Sequence, residues 1–316
     1  MFRIVERRGL YFLLSVLGIL PSLIFMGWSM STRGVFLPLS IDYTGGTLWE
    51  IRFDQDMPLT DVRQAFVDAG YRTPTVFHVE DDRTVQIKFE AIDEQQKQAL
   101  DATIETSLGA FEERSFRTIG PTIGAEVGRA ALLAVGVASL LILIYIWLVF
   151  RQVLHPFRYG ACAVVALIHD VFVTLSFACI MNLIAGWELD ALFLTATLTV
   201  IGYSVNDTIV VFDRIRENFR RYRGLDMSTL VNRSIVETFQ RSLGTVITTL
   251  LTLVAILVLG GPTVRQFTAV LVVGIISGMY SSIFTASPML VAWEERSLLH
   301  RGDSRSTAVD GQAAAA

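Results

Sequence analysis

Asp207 and Arg241 are the residues of this chain whose chemistry fits their neighbours least. The stretch IGYSVNDTIVVFDRIREN, residues 201–218, continues a long apolar run, yet it holds Asn206 and Asp207 and reaches its arginines only afterwards. If Asp213 and Arg214 mark the edge of the hydrocarbon, Asp207 lies about 9 Å deeper at 1.5 Å per residue. A carboxylate there costs roughly 2.5–3.5 kcal/mol on insertion scales unless it is paired or hydrated, so its default reading is functional. Thr195, Thr199, Tyr203 and Asn206 share one helical face, a polar track that Asp207 borders. A second stretch, FQRSLGTVITTLLTL, sets Arg241, Thr245, Thr248 and Thr252 on one face, with Arg241 at the depth expected of Asp207. A pair between antiparallel neighbouring helices follows. Moving guanidinium and carboxylate apart would change the proton affinity of Asp207, which makes the set a candidate proton-coupled switch. The membrane potential would supply about 2.3 kcal/mol per charge per 100 mV. His169–Asp170, about eleven residues into another apolar run, adds a third polar element to the expected proton pathway.

Each of these residues also has a structural reading. Asp207 and Arg241 could only hold two helices together, the threonines could only satisfy backbone carbonyls, and His169 could hold Asp170 in place. Asp213, Arg214, Arg216 and Glu217 read as a solvated cap. Gly274 and Gly278, four apart and followed by Ser281, Ser282 and Thr285, fit close helix contact.

The elements that must position these groups are long. Hydrophobic residues make up 52% and charged residues 18% of the chain, against roughly 25% charged in soluble domains. Six apolar blocks reach the about 20 residues that a span requires: about 10–28, 130–150, 159–183, 191–212, 243–260 and 267–293. The first follows FRIVERR and ends at MGWSMSTRG without a small-residue cleavage site, so it is expected to remain as a span. Arg3, Arg7 and Arg8 precede the first block, and Arg151 and Arg158 bracket the loop after the second. Arg214, Arg216, Arg220, Arg221, Arg223 and Arg233 fill the loop after the fourth, and Arg296, Arg301 and Arg305 follow the sixth. The opposite short loops hold Glu188 and Asp190, or Arg265. Both termini are therefore expected in the cytoplasm.

Residues 30–128 are then extracytoplasmic, and from Asp42 to Glu126 they carry 17 acidic against 8 basic residues, which argues against nucleic acid as a partner. TLWEIRF alternates as a strand, and Val62, Phe66 and Ala69 fall at helical spacing before Gly70. TPTVFHVE and RTVQIKFE read as a hairpin around Asp81–Asp82, and Leu100, Ile104 and Leu108 form a helical stripe ended by Gly109. EERSFRTIG is a last extended run. The order βαββαβ predicts a ferredoxin-like α+β domain on a six-helix transmembrane bundle. The expected divisions are 1–29 (N-terminus and first span), 30–128 (external domain), 129–293 (five spans) and 294–316 (a disordered cytoplasmic tail).

No catalytic, metal or cofactor site emerges. Cys162 and Cys179, on one predicted helix, are about 25 Å apart at 1.5 Å per residue. The histidines at 78, 155, 169 and 300 have no ligand spacing, no GxxxxGK[ST] occurs, and the RGD at 301–303 reads as chance. The chain is not read as an enzyme.

YSVNDTIVVFDRIREN resembles the signature of the SecF side of the SecD/SecF family of protein-export membrane proteins. So do DYTGG at Asp42–Gly46, HD at 169–170, GPTIGAEV and the QRS that contains Arg241. The similarity runs from about residue 8 to about 295, and Tyr43 stands where the family often has Phe. The resemblance implies a proton-motive-force-driven complex with SecD, associated with the SecYEG channel, that helps draw preproteins out while the ATPase SecA works on the cytoplasmic face. It assigns the family's proton-pathway aspartate and arginine to Asp207 and Arg241, with a further carboxylate contributed by SecD. Asp42, Thr44, Gly45 and Gly46 are expected at the junction of domain and membrane. Competing readings are a resistance-nodulation-division half-transporter for lipids or drugs, a passive scaffold, and an intramembrane aspartyl protease using Asp170 and Asp207. The last is disfavoured because a carboxyl dyad must share a proton at about 3 Å, and the protease GxGD motif is missing.

Overall fold

A computed structural model describes residues 3–71, 74–79, 81–151, 156–222 and 224–295, without the side chains at 262 and 263. Thr73, Glu80, His155, Arg223, His300 and the expected tail from 296 onward, with its arginines and RGD triplet, lie outside the described residues. Six helical stretches among the described residues are long and apolar enough to cross a membrane: Val5–Arg33, Pro121–Phe150, Pro156–Ala185, Ala191–Arg221, Met227–Leu259 and Val264–Glu294. Each extends beyond the apolar block that announced it, because hydropathy marks only the oil-facing part while backbone hydrogen bonding continues into polar turns.

The chain forms two compact units, one of Met1–Trp28, Ala138–Phe177 and Thr195–Ala316, the other of Ser29–Val137 and Ala178–Leu194. The second holds a short helix α2 (Ile41–Thr44) and then β1 (Gly46–Phe53), α3 (Leu59–Asp68), β2 (Thr75–Val79), β3 (Asp81–Phe89), α4 (Glu94–Leu108) and β4 (Phe111–Ile119). All strand pairs are antiparallel, in the order β2-β3-β1-β4. Alternation in β1 buries Trp49, Ile51 and Phe53 against Val62 and Phe66 of α3 and Leu100 and Ile104 of α4. Asp93 starts α4 with a reciprocal cap: its carboxylate accepts from Gln96 N–H, and its own N–H donates to the Gln96 side chain. Asp81 and Asp82 open β3, paired with β2 from its first residue, and do not form a separate loop.

The other unit contains most of α1 (Arg8–Arg33), of α6 (Pro156–Ala185) and of α7 (Ala191–Arg221), the C-terminal part of α5 (Pro121–Phe150), and all of α8 (Met227–Leu259), α9 (Pro262–Tyr280) and α10 (Ser287–Glu294). Its core joins Val5, Phe150, Cys162, Phe212, Leu230 and Leu290. The arginine-rich loop expected after the fourth span is mostly helix. α7 runs to Arg221 and α8 begins at Met227, so Arg214, Arg216, Arg220 and Arg221 stand on α7 and Arg233 on α8. Glu237 explains the extension, taking Arg214 at 2.7 Å, Arg233 at 2.9 Å and the Asn218 amide at 2.8 Å. Between α9 and α10, Ser281–Ala286 is a π-helical segment. Pro288 has no N–H for the carbonyl of Phe284, which loosens the α-helical ladder just there.

Candidate functional site

Asp207 is 8% exposed on α7, and its Oδ1 accepts a hydrogen bond from the hydroxyl of Ser242 on α8. Its Oδ2 is buried with no hydrogen-bond partner among the described residues. The two helices run antiparallel, since the ties Tyr203–Thr249, Asp207–Ser242, Arg214–Glu237 and Asn218–Ser234 ascend one chain and descend the other. Among the described residues no ion pair joins Arg241 to Asp207, but both line a cavity of about 150 Å³ together with Tyr203, Asn206, Val210, Ser242 and Thr245. That volume has room for several waters, each taking about 30 Å³ in the liquid, and its walls offer the polar partners that water requires. A carboxylate with one filled and one open oxygen, beside a guanidinium and a wettable space, can take up and release a proton.

Arg241, Thr245, Thr248 and Thr252 of α8, and Thr195, Thr199 and Asn206 of α7, are exposed. The hydroxyls of Thr199, Thr245, Thr248 and Thr252 donate to carbonyls of their own helices, such as Thr245 to Arg241 O at 3.0 Å. The polar track is therefore a face of self-satisfied hydroxyls beside one guanidinium.

Asp170 is placed differently. It is fully buried on α6 and accepts from Ser277 Oγ at 2.6 Å, Ser204 Oγ at 2.6 Å and Ser281 Oγ at 2.7 Å, with His169 Nδ1 at 3.0 Å. Those serines come from α7, α9 and the π segment, so one carboxylate ties three membrane helices. Asp170 and Asp207 have no common hydrogen-bond partner among the described residues. Gly274 and Gly278 allow this closeness: a Cβ on Gly274 would overlap Val200, and one on Gly278 would reach Ser204 Cβ at 3.0 Å.

The DYTGG residues lie in the other unit. Asp42, 12% exposed, accepts from Arg117 Nη2 at 2.7 Å and from the backbone N–H of Ala191 at 3.0 Å. The Tyr43 hydroxyl donates to Asp190 O at 2.9 Å, and the Thr44 hydroxyl to Ser40 O at 3.0 Å. Burial, with Asp190 and Asp42 nearby, pushes the Tyr43 phenol up to about 12. Burial also raises the carboxyls of Asp190 and Glu188 above their ordinary values, and Lys88, 2.8 Å from Glu188, opposes the latter. Gly45 and Gly46 have φ of +72° and +120°, the region where a side chain is strained.

Sequence reasoning missed Ser242, Ser204, Ser277 and Arg117. Ser242 follows Arg241 directly, and hydroxyl placement on the inward helical face was the available signal. Among the described residues no cluster of three His, Cys, Asp or Glu side chains is placed to hold a metal.

Residues 97–296 match the family of protein export membrane proteins SecD/SecF, C-terminal. This chain belongs to the SecD/SecF family. It is 42% identical over 310 residues to the protein translocase subunit SecF of Thermobaculum terrenum, covering 95% of this chain and 96% of that one. It is 43% identical over 302 residues to SecF of Anaerolinea thermophila, at 93% and 94% coverage. The crystal structure of SecDF, a translocon-associated membrane protein from Thermus thermophilus, superposes with a TM-score of 0.76 at 32% identity. That match covers 92% of this chain and 38% of the longer SecDF chain. A SecF-type family and six long apolar helices make this a multi-pass membrane protein.

Proposed function

We propose that this chain is the SecF-type subunit of a SecD–SecF complex that uses proton flow to assist preprotein movement through the SecYEG channel on the extracytoplasmic side. The observation that carries the reading is Asp207, a buried carboxylate with one serine partner and one open oxygen, on a polar cavity shared with Arg241. In this reading Asp207 takes and releases the proton, Arg241 is its electrostatic partner, and Asn206 and Tyr203 line the route. Asp170 anchors the helices around it. The exposed face carrying Thr195, Thr199, Arg241, Thr245, Thr248 and Thr252 is where SecD packs and supplies a further carboxylate. Lipid covers the remaining span surfaces, and SecA acts only indirectly.

Residues 30–128 are taken as an external ferredoxin-like domain, 1–29 and 129–293 as the six spans of an inner-membrane protein, and 294–316 as a cytoplasmic tail beside a cytoplasmic N-terminus. The βαββαβ order and the strand order β2-β3-β1-β4 support the domain assignment. The test is gradient-dependent preprotein translocation in vesicles containing this chain with SecD and SecYEG. Asp207→Asn at matched assembly is expected to abolish the gradient-dependent part and leave the ATP-driven part. Unchanged export would favour a passive scaffold and remove the proton reading.

A further inference from the structure

We propose that Asp42 is a positioning residue that couples movement of α7 to the β-sheet; the inference rests on the proton-coupled reading of Asp207. The two oxygens of its carboxylate serve different elements. Oδ1 accepts from Arg117 of β4 at 2.7 Å, and Oδ2 accepts the N–H of Ala191, the first residue of α7, at 3.0 Å. Asp190 completes the hold on that turn, its Oδ1 taking the N–H of Phe193 at 2.7 Å. The first turn of α7 is thus bound by two carboxylates, the charge its dipole favours, and one of them is ion-paired to the sheet.

α7 is continuous from Ala191 to Arg221 and carries Asp207 sixteen residues onward, about 24 Å at 1.5 Å per residue. An unbroken helix passes an axial shift or a rotation along its length. The sheet side of the clasp has little slack: a Cβ on Gly45 would lie 2.7 Å from Pro121 Cα, and one on Gly46 would lie 2.8 Å from Phe89 O. The turn that joins α2 to β1 is therefore wedged against Phe89 of β3 and Pro121 at the start of α5, with Asp42 reaching from α2 to α7. Lys88 of β3 adds a second tie to the segment before α7, through Glu188 at 2.8 Å.

A simple cap and a coupling clasp respond differently to substitution. Asparagine caps a helix about as well as aspartate, so Asp42→Asn keeps an acceptor for Ala191 but loses the ion pair. Arg117→Gln breaks the same pair from its exposed side, Arg117 being 54% exposed. Both variants are examined in vesicles with SecD and SecYEG beside Asp207→Asn, reading gradient-dependent export and the infrared carboxyl band that Asp207→Asn deletes. The clasp predicts loss of the gradient-dependent export in both variants, with ATP-driven export, complex assembly and the Asp207 band retained; Asp42→Glu restores part of the loss. Retained gradient-dependent export in Asp42→Asn and Arg117→Gln overturns the clasp, provided Asp207→Asn loses it. Retention in Asp207→Asn as well sinks the proton reading and the clasp with it. Should Asp42→Asn not assemble, Arg117→Gln decides alone.

Discussion

Replacing Asp170 by alanine tests whether its carboxylate is a structural anchor. Alanine leaves the hydroxyls of Ser204 and Ser277 with no other hydrogen-bond partner among the described residues, whereas Ser281 keeps Gly278 O at 3.2 Å. Interhelical hydrogen bonds in membranes average about 0.6 kcal/mol and reach about 1.7. Two orphaned hydroxyls, one weakened one and an unpartnered His169 then sum to roughly 2–4 kcal/mol. Asp170→Asn preserves volume and one carbonyl acceptor, and its amide can donate to a rotated serine hydroxyl, so its cost should stay below about 1.5 kcal/mol. Equilibrium unfolding in bicelles by steric trapping gives both values, and Ser277→Ala, at about 1 kcal/mol, checks the cost of one bond. The anchor argument fails if Asp170→Ala costs under about 0.5 kcal/mol, or if Asn costs as much as Ala, since then charge and not bond count is what matters.

Gly274→Ala forces a methyl into Val200 and toward Thr174 Cγ2, so it should destabilise the chain by about 1–3 kcal/mol in the same assay. Gly202→Ala meets nothing within 4 Å and should be near neutral; equal losses would contradict the packing account. Glu188 and Asp190 have folded-state values raised by burial, so their contribution to stability is fully present below the ordinary carboxylate range and is lost as pH rises through the raised values. Melting temperature should therefore fall across that window. Glu188→Gln should flatten the slope and Lys88→Met should steepen it, because Lys88 opposes the rise; a slope indifferent to both would refute the assignment.

Much of the architecture was legible in the residues. Six apolar blocks became six long helices, and Trp49, Ile51 and Phe53 alternate into one core as their spacing implied. Burial in a repeating backbone depends on neighbours two to four positions away, which periodicity records. That Arg241, Thr245, Thr248 and Thr252 share one face of α8 follows from the same local geometry. The hydrogen-bond partner of Asp207 does not: the sequence offered Arg241 beside it, and packing brought the hydroxyl of Ser242, one residue on, to its Oδ1. A single residue turns the side chain about 100° around a helix, so only the packed angle of α8 against α7 could decide between them. The three serine contacts of Asp170, the continuation of α7 and α8 through the arginines, and the Asp42–Arg117–Ala191 clasp also arise between segments far apart in sequence. Such contacts depend on crossing angles and register, which emerge from the fit of whole helix surfaces and leave no period in the local sequence.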